Sequence, residues 1–356
     1  MSGKTALVAM SGGVDSSVAA ALMAEAGWRA VGVTLKIMPG TPSGFGCCGS
    51  TTDIDDAKRV CESLSLAHYT LNMADLFEDK VIKPFVEAYL NQRTPNPCVE
   101  CNKSVKFGHL MALARAWGAD CLATGHYAKT ENGRLFMSED REKDQSYFLY
   151  ALGREELSGI RFPLGEMTKN AVREKARALK LKTAEKPESQ EICFVPGRDY
   201  RNFIAGRVGE SSTALTAGPI KDTQGKILGQ HRGLASYTRG QRRGLGISAA
   251  TPSYVVRMEP ESNTLVVGSK QDTFNSSFTV RSLNWISGRA PDATGVEVRI
   301  RHRHKPAPAI LDAISAREMG VRFLTPQPAV TPGQAAVFYS GDEVLGGGTI
   351  AEVANS

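Results

Sequence analysis

Residues Thr5–Ser17, TALVAMSGGVDSS, decide the fold of the N-terminal part of the chain. TALVAM is typical of a short buried β-strand, and the Ala-, Leu- and Met-rich segment Ser16–Ala26 is typical of a helix. Between them, Gly12 and Gly13 permit a tight turn that brings backbone N–H groups and the helix N-terminus close to an anion, and the neighbouring serines add hydroxyl donors. The stretch therefore predicts a phosphate-binding loop, with a purely structural Gly-Gly turn as the alternative.

Outward from this loop, strands and helices alternate along the chain. The loop itself fits neither the Walker A motif, which needs Gly-Lys-Ser/Thr, nor the GxGxxG motif of dinucleotide-binding folds. The alternation predicts an α/β, doubly wound parallel sheet that binds ligands at the carboxyl ends of its strands. The predicted elements after the loop are a strand at Arg29–Leu35, a helix at Asp53–Leu64, a strand at His68–Asn72, helices at Ala74–Gln92 and Asn102–Trp117, and a strand at Asp120–Thr124.

The pattern changes after about Arg161. A predicted helix at Lys169–Leu179 precedes a polar loop, and from about Tyr200 short strands alternate with Gly/Pro turns, as in antiparallel barrels. Because 356 residues exceed what one core organises, we expect several domains. These are an α/β nucleotide-binding domain at 1–163 plus about 184–199, a small central α+β domain at about 164–183 plus 200–276, and a C-terminal antiparallel β-barrel at 277–356.

The chain carries 43 Lys and Arg against 37 Asp and Glu, a formal net charge of +6, with 42% hydrophobic and 22% charged residues. This composition is ordinary for a globular enzyme and excludes disordered, collagen-like and coiled-coil proteins. The segment from Thr223 to Met258 holds six Lys or Arg and no Asp or Glu, and a second basic stretch runs from Arg299 to Lys305. Such stretches suit a polyanion such as nucleic acid, with a solvated surface face as the alternative.

The N-terminus lacks a signal-peptide pattern, and its longest apolar run, Val18–Ala24, is too short to span a bilayer. We therefore expect a cytoplasmic protein without membrane association, and we expect it to be a monomer. Seven cysteines in a reducing compartment do not suit a structural disulfide framework, which leaves chemical or metal-binding roles for some of them. Cys61 and Cys121 fall on apolar positions typical of a core, and Cys47 and Cys48 receive no role.

Three cysteines lie in distinctive surroundings. Cys98 and Cys101 belong to TPNPCVECNK, where two prolines stiffen the approach and Asn102 can cap a following helix, which would stabilise a thiolate at Cys101. Cys193 closes the stretch ESQEIC. A structural zinc site would need a fourth ligand that is not evident, and a thioredoxin-like pair would directly follow a strand. The third interpretation is a reactive pair or triad that carries sulfur or an iron–sulfur cluster.

SGGVDSS resembles the PP-loop of the N-type ATP pyrophosphatases, which cleave ATP to AMP and pyrophosphate. From residue 7 to residue 350, the chain resembles the tRNA-specific 2-thiouridylase family of that superfamily. The stretches that carry the resemblance are SGGVDSS, TPNPCVECNK, ATGHYA, KDQSYFLYAL, PESQEICFVP, HRGLASYTRGQRRGLG and PGQAAVFY with GGGTI. The resemblance implies ATP-dependent 2-thiolation of the wobble uridine of tRNA through an adenylated uridine, which yields 2-thiouridine, AMP and pyrophosphate.

The resemblance also implies roles for individual residues. Cys193 would carry a persulfide delivered by a sulfur-relay protein or a cysteine desulfurase, and Cys101 would be the nucleophile that helps to release the sulfur. ATP, with Mg²⁺, would contact Ala9, Met10, Ser11, Gly12, Gly13, Val14, Asp15, Ser16, Leu35 and Gly125. The target base would contact Asn96, Pro97 and Cys98. The residues expected to contact tRNA are His126 (with a core histidine as the alternative), Lys143, Asp144, Gln145, Arg301, His302 and Gln334, together with Arg239 and Arg242 of the basic segment.

Cys98 departs from the family pattern. Many members have an acidic residue at this position, proposed to assist proton transfer, so the resemblance does not fix the acid–base role here. Cys98, Cys101 and Cys193 could instead hold three irons of a [4Fe–4S] cluster whose fourth iron holds sulfide. Persulfide and cluster chemistry both stay open. Two rival functions also stay open: a PP-loop ligase or amidotransferase that acts on a small molecule, and a nucleic-acid-binding protein with a relict nucleotide loop.

Overall fold

The structure is a computed structural model, and it describes residues 3–38, 49–187, 192–195, 197, 199–208, 212–248, 251–291 and 295–353. Cys47 and Cys48 lie outside the described residues. The strands are β1 (Thr5–Ala9), β2 (Arg29–Lys36), β3 (Ala67–Asn72), β4 (Cys121–Thr124), β5 (Ala128–Glu131), β6 (Arg134–Met137), β7 (Ile160–Arg161), β8 (Gly218–Lys221), β9 (Ile227–His231), β10 (Tyr254–Glu259), β11 (Thr264–Gly268), β12 (Phe274–Trp285), β13 (Val296–Arg299), β14 (Ala307–Ser315), β15 (Glu318–Pro328), β16 (Ala335–Ser340) and β17 (Glu343–Val353).

The helices lie mainly in the first half of the chain. They are α1 (Val14–Glu25), α2 (Thr51–Ser63), α3 (Ala74–Phe77), α4 (Lys83–Leu90), α5 (Pro97–Glu100), α6 (Leu110–Ala116), α7 (Arg154–Ser158), α8 (Lys169–Ala178) and α9 (Tyr200–Val208). A π-helical segment, Glu78–Ile82, joins α3 to α4, and a second, Cys101–His109, joins α5 to α6. Every helix within the described residues is too short or too polar to cross a bilayer.

A five-stranded parallel sheet in the order β3-β2-β1-β4-β7 forms the first domain. Strand β1 lies at its centre because Ala6, Leu7 and Val8 are apolar and buried, as a strand covered on both faces requires. Strand order reverses between β1 and β4, and open α/β sheets bind ligands at the carboxyl ends of the strands at such a reversal. The predicted doubly wound sheet is confirmed.

Helix α8 packs against α1, although residues 164–183 were expected to lie with the central domain. Val172 and Ala176 of α8 are buried in the same core as Val18 and Ala20 of α1. Small residues such as Ala20 let the two helices approach closely, and the sequence of α8 by itself does not show which surface its apolar face will cover. The packing brings the first turn of α8 to the loop that follows β1.

The central domain contains a four-stranded sheet in the order β10-β11-β8-β9. Its small core includes Ile220, Leu234, Tyr237, Val255 and Leu265. The C-terminal part is an antiparallel barrel in the order β12-β15-β14-β13-β16-β17, which a β12–β17 pairing closes. Strand β17 also pairs with β6, so the β5–β6 hairpin joins the barrel to the first domain. The predicted succession of α/β domain, central domain and antiparallel barrel is confirmed.

Candidate active site

The loop after β1 is folded around its own serine hydroxyls. Oγ of Ser16 accepts a hydrogen bond from the N–H of Ser11 at 3.1 Å and donates to the carbonyl of Gly13 at 3.1 Å. Oγ of Ser17 donates to the same carbonyl at 2.8 Å. Gly13 precedes α1 and has no side chain that could cap the helix, so the first N–H groups of α1 are left for an anionic ligand.

Two glycines allow other backbone segments to approach this loop. Gly12 has a φ of +72°, and a Cβ there would lie 2.3 Å from the carbonyl oxygen of Asp53. A Cβ on Gly125, just after β4, would lie 2.7 Å from the backbone nitrogen of Ser16. The loop 11–16 after β1 and Gly125 after β4 therefore lie side by side and form a narrow site lined by backbone groups, here called the phosphate cradle. Such a site fits the phosphates of a nucleotide.

The other residues expected to contact ATP lie on either side of the cradle. Met10 is buried, and its N–H donates to the carbonyl of Val33 at 2.8 Å. Val14 and Leu35 are also buried, with exposed fractions of 3% and 7%, whereas Ala9 is half-buried. The side chains of Met10, Val14 and Leu35 therefore belong to the core of the first domain beneath the loop.

Asp15 is engaged by a lysine that sequence analysis missed. Nζ of Lys169, in the first turn of α8, donates to Oδ1 and Oδ2 of Asp15 at 2.7 and 2.8 Å. The hydroxyl of Tyr127 donates to Oδ1 at 2.8 Å. Lys169 is only 7% exposed, so this ion pair ties α8 firmly to the loop and places a positive charge beside the cradle.

A second lysine that sequence analysis missed holds the loop from the other side. Nζ of Lys186 donates to the carbonyl of Gly12 at 3.0 Å, to Oδ1 of Asp53 at 2.8 Å and to Oδ2 of Asp56 at 2.6 Å. Burial lowers the pKa of Lys186, but the hydrogen bonds and charges of the two aspartates outweigh it and raise the pKa above its ordinary value. Lys186 is therefore a permanent cation that joins the loop, α2 and the segment leading to Cys193.

The continuous helical stretch formed by α5, the π-helical segment Cys101–His109 and α6 carries Cys98 and Cys101 and is called the cysteine-bearing helix below. It begins earlier than the predicted start at Asn102. Asn96, and not Asn102, is the capping residue: its side chain accepts from the N–H of Val99, and Pro97 occupies the first turn. Asn102 is buried and donates to the carbonyl of Phe148 at 3.2 Å. Cys98 is therefore exposed in the first helical turn, while Cys101 is half-buried at the start of the π-helical segment.

Cys193 is anchored by the residue that follows it. The ring of Phe194 packs edge-on against Phe77 and Phe85, with ring centroids 5.6 and 5.1 Å apart. Cys101 and Cys193 are both partly buried, and both pack against the core that contains these rings. The two cysteines expected to exchange sulfur thus border the same core of the first domain.

The three cysteines considered as cluster ligands are not gathered into a metal-binding group in this structure. Cys98, Cys101 and Cys193 are all among the described residues, and in that part of the chain no three His, Cys, Asp or Glu side chains form a group that could hold a metal ion. Cys61 and Cys121 are buried in the core as predicted, and burial raises the pKa of each thiol to about 11.

Several residues expected to contact tRNA lie inside the protein. His126 is 9% exposed, its Nδ1 lies 2.8 Å from Oγ1 of Thr124, and the rings of Phe107 and Phe162 surround it. This environment matches the alternative of a core histidine. Because Gly125 contacts the loop and Phe107 belongs to the cysteine-bearing helix, His126 lies between the two candidate halves of the site.

Asp144 and its neighbours join the first domain to the barrel. Asp144 is 2% exposed, and its Oδ2 accepts from the guanidinium of Arg299, a barrel residue, at 2.7 Å. A side chain this buried offers no surface to RNA. Oε1 of Gln145 accepts from the N–H of Tyr127 at 3.0 Å, and Lys143 is half-buried.

The barrel and central-domain residues are divided between interior and surface. Arg301 donates to the carbonyl of Pro328 at 2.9 Å, and His302 hydrogen-bonds to the carbonyl of Asp144 at 3.0 Å. Gln334 donates to the backbone that precedes Asn96. Arg242 is exposed, whereas Arg239 is half-buried and donates to the side chain of Asn275 at 3.0 Å; burial is the main cause of its lowered pKa.

Known families match this chain along its length. The family described as tRNA methyl transferase HUP domain matches residues 4–197, the tRNA methyl transferase PRC-barrel domain matches residues 201–269, and the Aminomethyltransferase beta-barrel domain matches residues 275–350. The tRNA-specific 2-thiouridylase MnmA of Moorella thermoacetica is 48% identical over 98% of this chain and 99% of its own length. That of Carboxydothermus hydrogenoformans is 47% identical over 98% of this chain and 97% of its own length. The chain belongs to the tRNA-specific 2-thiouridylase family.

Proposed function

We propose that this chain is an enzyme that converts the wobble uridine of tRNA to 2-thiouridine at the expense of ATP. One observation carries the proposal: 98% of the chain aligns at 48% identity with a protein named tRNA-specific 2-thiouridylase. The geometry of the first domain supports it. Gly125 contacts the phosphate cradle, His126 follows it, and the ring of His126 packs on Phe107 of the cysteine-bearing helix.

The first step of the proposed reaction activates the uracil. The C2 oxygen is a poor leaving group and must first be converted to a better one. It attacks the α-phosphorus of ATP, and pyrophosphate leaves with the electron pair of the broken P–O bond. Backbone N–H groups of the loop 11–16 and the start of α1 would bind the phosphates, with Lys169 and Lys186 adding positive charge. Mg²⁺ that accompanies ATP would neutralise phosphate charge and would be held chiefly by the phosphates themselves, because both carboxylate oxygens of Asp15 are bonded to Lys169.

The second step delivers sulfur. The thiolate of Cys101 attacks Sγ of a Cys193 persulfide, the S–S bond of the persulfide breaks, and hydrosulfide leaves as a Cys101–Cys193 disulfide forms. Hydrosulfide adds to C2 of the adenylated uridine, and AMP leaves with the electron pair of the C2–O bond. The sulfur-bound proton replaces the N3 proton that was lost on adenylation, which leaves the C=S bond. A cellular dithiol then reduces the disulfide. The half-buried positions of both cysteines support this proposal, since a persulfide must be shielded from water yet reachable.

The proposed partners are tRNA and a protein that supplies sulfur to Cys193, a sulfur-relay protein or a cysteine desulfurase. Cys98 lies exposed beside Asn96 and Pro97, where the target base is expected to bind. Arg242 and Arg243, exposed on the central domain, would contact the tRNA backbone. We propose that the chain acts as a monomer in the reducing cytoplasm, where a catalytic disulfide is transient.

The test is a reconstituted reaction with unmodified tRNA transcript, ATP, Mg²⁺, cysteine and a cysteine desulfurase. Mass spectrometry of the digested tRNA should show 2-thiouridine only when ATP is present, with one AMP formed for each thionucleoside. Formation of AMP without RNA and without thionucleoside would point to a ligase that acts on a small molecule. Binding of tRNA with no AMP formed in any condition would point to a nucleic-acid-binding protein with a relict loop.

A further inference from the structure

The backbone just before Asn96 is held by the barrel. Nε2 of Gln334 donates to the carbonyl of Thr94 at 3.0 Å and to the carbonyl of Pro95 at 3.1 Å. The N–H of Thr94 donates to the carbonyl of Pro332 at 2.9 Å. Three hydrogen bonds therefore join the turn Pro332–Gln334 to the two residues that lead into the cysteine-bearing helix, more than 200 residues away in sequence.

Gly333 makes this close contact sterically feasible. It has a φ of +91°, and a Cβ there would lie 2.9 Å from Cβ of Arg93 and from the backbone nitrogen and oxygen of Thr94. The turn is itself fixed within the barrel, because the N–H of Gly333 donates to the carbonyl of Ile350 at 2.8 Å and the N–H of Ile350 donates to the carbonyl of Gln334 at 2.8 Å. The barrel thus presents a rigid surface to Thr94 and Pro95.

The central domain reaches the same point. Oγ1 of Thr94 donates to Oγ1 of Thr238 at 3.4 Å. Two residues further, Gly240 packs so closely on the barrel that a Cβ there would lie 2.4 Å from Cβ of Ala329. Thr94 is therefore the residue at which the first domain, the central domain and the barrel meet, and it stands four residues before Cys98 and seven before Cys101.

We propose that the turn Pro332–Gln334 positions the cysteine-bearing helix for sulfur transfer, and that Gln334 is a positioning residue rather than chiefly a contact to tRNA. The inference rests on the proposed function. The side-chain amide of Gln334 donates to two protein carbonyls, those of Thr94 and Pro95. The backbone from these residues to Asn96 is short, and Pro95 and Pro97 stiffen it. Loss of the hydrogen bonds would let the start of the helix shift, and a displacement of about 1 Å at reacting groups can slow a reaction about a hundredfold.

The test compares Gln334→Met, which keeps the length of the side chain but removes both donors, with Gln271→Met, an exposed position outside the basic segment from Thr223 to Met258. We expect Gln334→Met to lower the rate of thiolation at saturating tRNA by about tenfold, the effect of roughly one to two neutral hydrogen bonds. The Kd for tRNA should stay within about twofold of the wild-type value, and Gln271→Met should change neither quantity. Gly333→Ala should reproduce the loss of rate without removing a side chain that could contact RNA.

A second measurement keeps this inference separate from the proposed function. In the absence of tRNA, the rate at which iodoacetamide modifies Cys101 should rise at least about threefold in Gln334→Met and Gly333→Ala, with Cys193 as the internal reference. Thermal unfolding checks that both variants are folded. If the Kd for tRNA rises while the saturating rate and the alkylation of Cys101 stay unchanged, Gln334 is an RNA contact and the inference is overturned. If the wild-type enzyme makes no 2-thiouridine, the proposed function fails, and the alkylation result still decides the positioning role.

Discussion

Lys169 of α8 forms an ion pair with Asp15 of α1: its Nζ lies 2.7 and 2.8 Å from the two carboxylate oxygens. Asp15 belongs to the loop expected to bind ATP, and Lys169 stands in the first turn of α8, 154 residues further along the chain. The lysine side chain is 9% exposed and that of Asp15 is 32% exposed. Because a cation this buried is costly to leave without its partner, the pair fixes the loop and α8 in one arrangement.

Replacement of Lys169 by Met should therefore impair both stability and the first chemical step. The substitution leaves Asp15 without its charged donor, and we expect the free energy of unfolding to fall by about 1.5–3 kcal/mol, the range for hydrogen bonds to charged groups. ATP-dependent formation of AMP should fall at least about tenfold, because the loop loses its brace and a nearby positive charge. Urea denaturation and an AMP assay measure the two effects.

Lys175→Met is the matched control on the same helix. Lys175 pairs with Glu25 at 2.8 Å, but the two side chains are 32% and 46% exposed. Surface pairs of this kind contribute about 1 kcal/mol or less, so the variant should keep nearly all its stability and activity. Equal losses in the two variants would show that the Lys169–Asp15 pair has no special role.

His304 makes the stability of the barrel depend on pH. The residue is 7% exposed, and its Nε2 lies 3.1 Å from Oε1 of Gln327. Burial, reinforced by the charges of Arg301 and Arg299, lowers its pKa from 6.5 to about 4, although the hydrogen bond that its Nε2–H donates to Gln327 acts in the opposite direction. Below pH 6.5 the unfolded chain binds a proton that the folded chain rejects, so the free energy of unfolding falls with pH by about 3 kcal/mol in total and levels off below pH 4.

His304→Gln removes this titration and should flatten the loss of stability between pH 6.5 and pH 4. Urea denaturation at several pH values in that window measures the difference between the variant and the wild type. His109→Gln, on an exposed position of the cysteine-bearing helix, is the control and should follow the wild-type curve. A His304→Gln curve parallel to that of the wild type would mean that the imidazole is protonated in the folded state.

The elements with local signals could be predicted from the sequence. The strand, the two glycines and the helix of 5–25 are contiguous, so their pattern is complete within one stretch of chain. The start of the cysteine-bearing helix could not be fixed in this way, because Asn96 and Asn102 are equally good caps and only the burial of Asn102 against Phe148 decides between them. The last residues of strand β15 carry no clear strand pattern, because prolines such as those at 326 and 328 are unusual in a strand.

Lys169 and Lys186, which contact the loop, could not be predicted from the sequence either, but the reason is different. Lys169 meets Asp15 across 154 residues, and Lys186 meets Asp53 across 133 residues. A charge whose partner is that distant leaves no local pattern, so each lysine appears in the sequence as one more surface cation. Burial against the loop is what distinguishes them, and burial follows from how α8 packs on α1.

The exposed arginines of the central domain should set the salt dependence of tRNA binding. Arg242→Ala combined with Arg243→Ala removes two exposed charges, and we expect the slope of log K against log salt to become shallower by about one to two units. Arg239 is half-buried and bonded to Asn275, so Arg239→Ala should mainly lower stability. Lys58→Ala with Arg59→Ala, exposed on α2, removes the same charge from another face as a control. An unchanged slope in the variant that combines Arg242→Ala with Arg243→Ala would place these two arginines away from the RNA.

Cys101 and Cys193 should both be indispensable for thiolation. Cys193→Ser removes the sulfur carrier, and Cys101→Ser removes the thiolate that releases the sulfur, so each variant should form no 2-thiouridine. Neither change touches the phosphate cradle, and AMP formation should therefore continue at a measurable rate in both. Thiolation by either variant at the wild-type rate would contradict the proposed sulfur transfer between these two residues.

Cys98→Asp separates persulfide chemistry from cluster chemistry. The substitution introduces the acidic residue that many family members have at this position, so a persulfide mechanism predicts that most of the thiolation activity is retained. A cluster would lose a ligand, because a carboxylate binds iron less well than a thiolate in such a site, and both iron and turnover should fall. Since the three cysteines do not form a metal-binding group, we expect active enzyme without stoichiometric iron when wild type and variant are prepared anaerobically and assayed together. Stoichiometric iron in the wild type that disappears with activity in Cys98→Asp would overturn the persulfide mechanism.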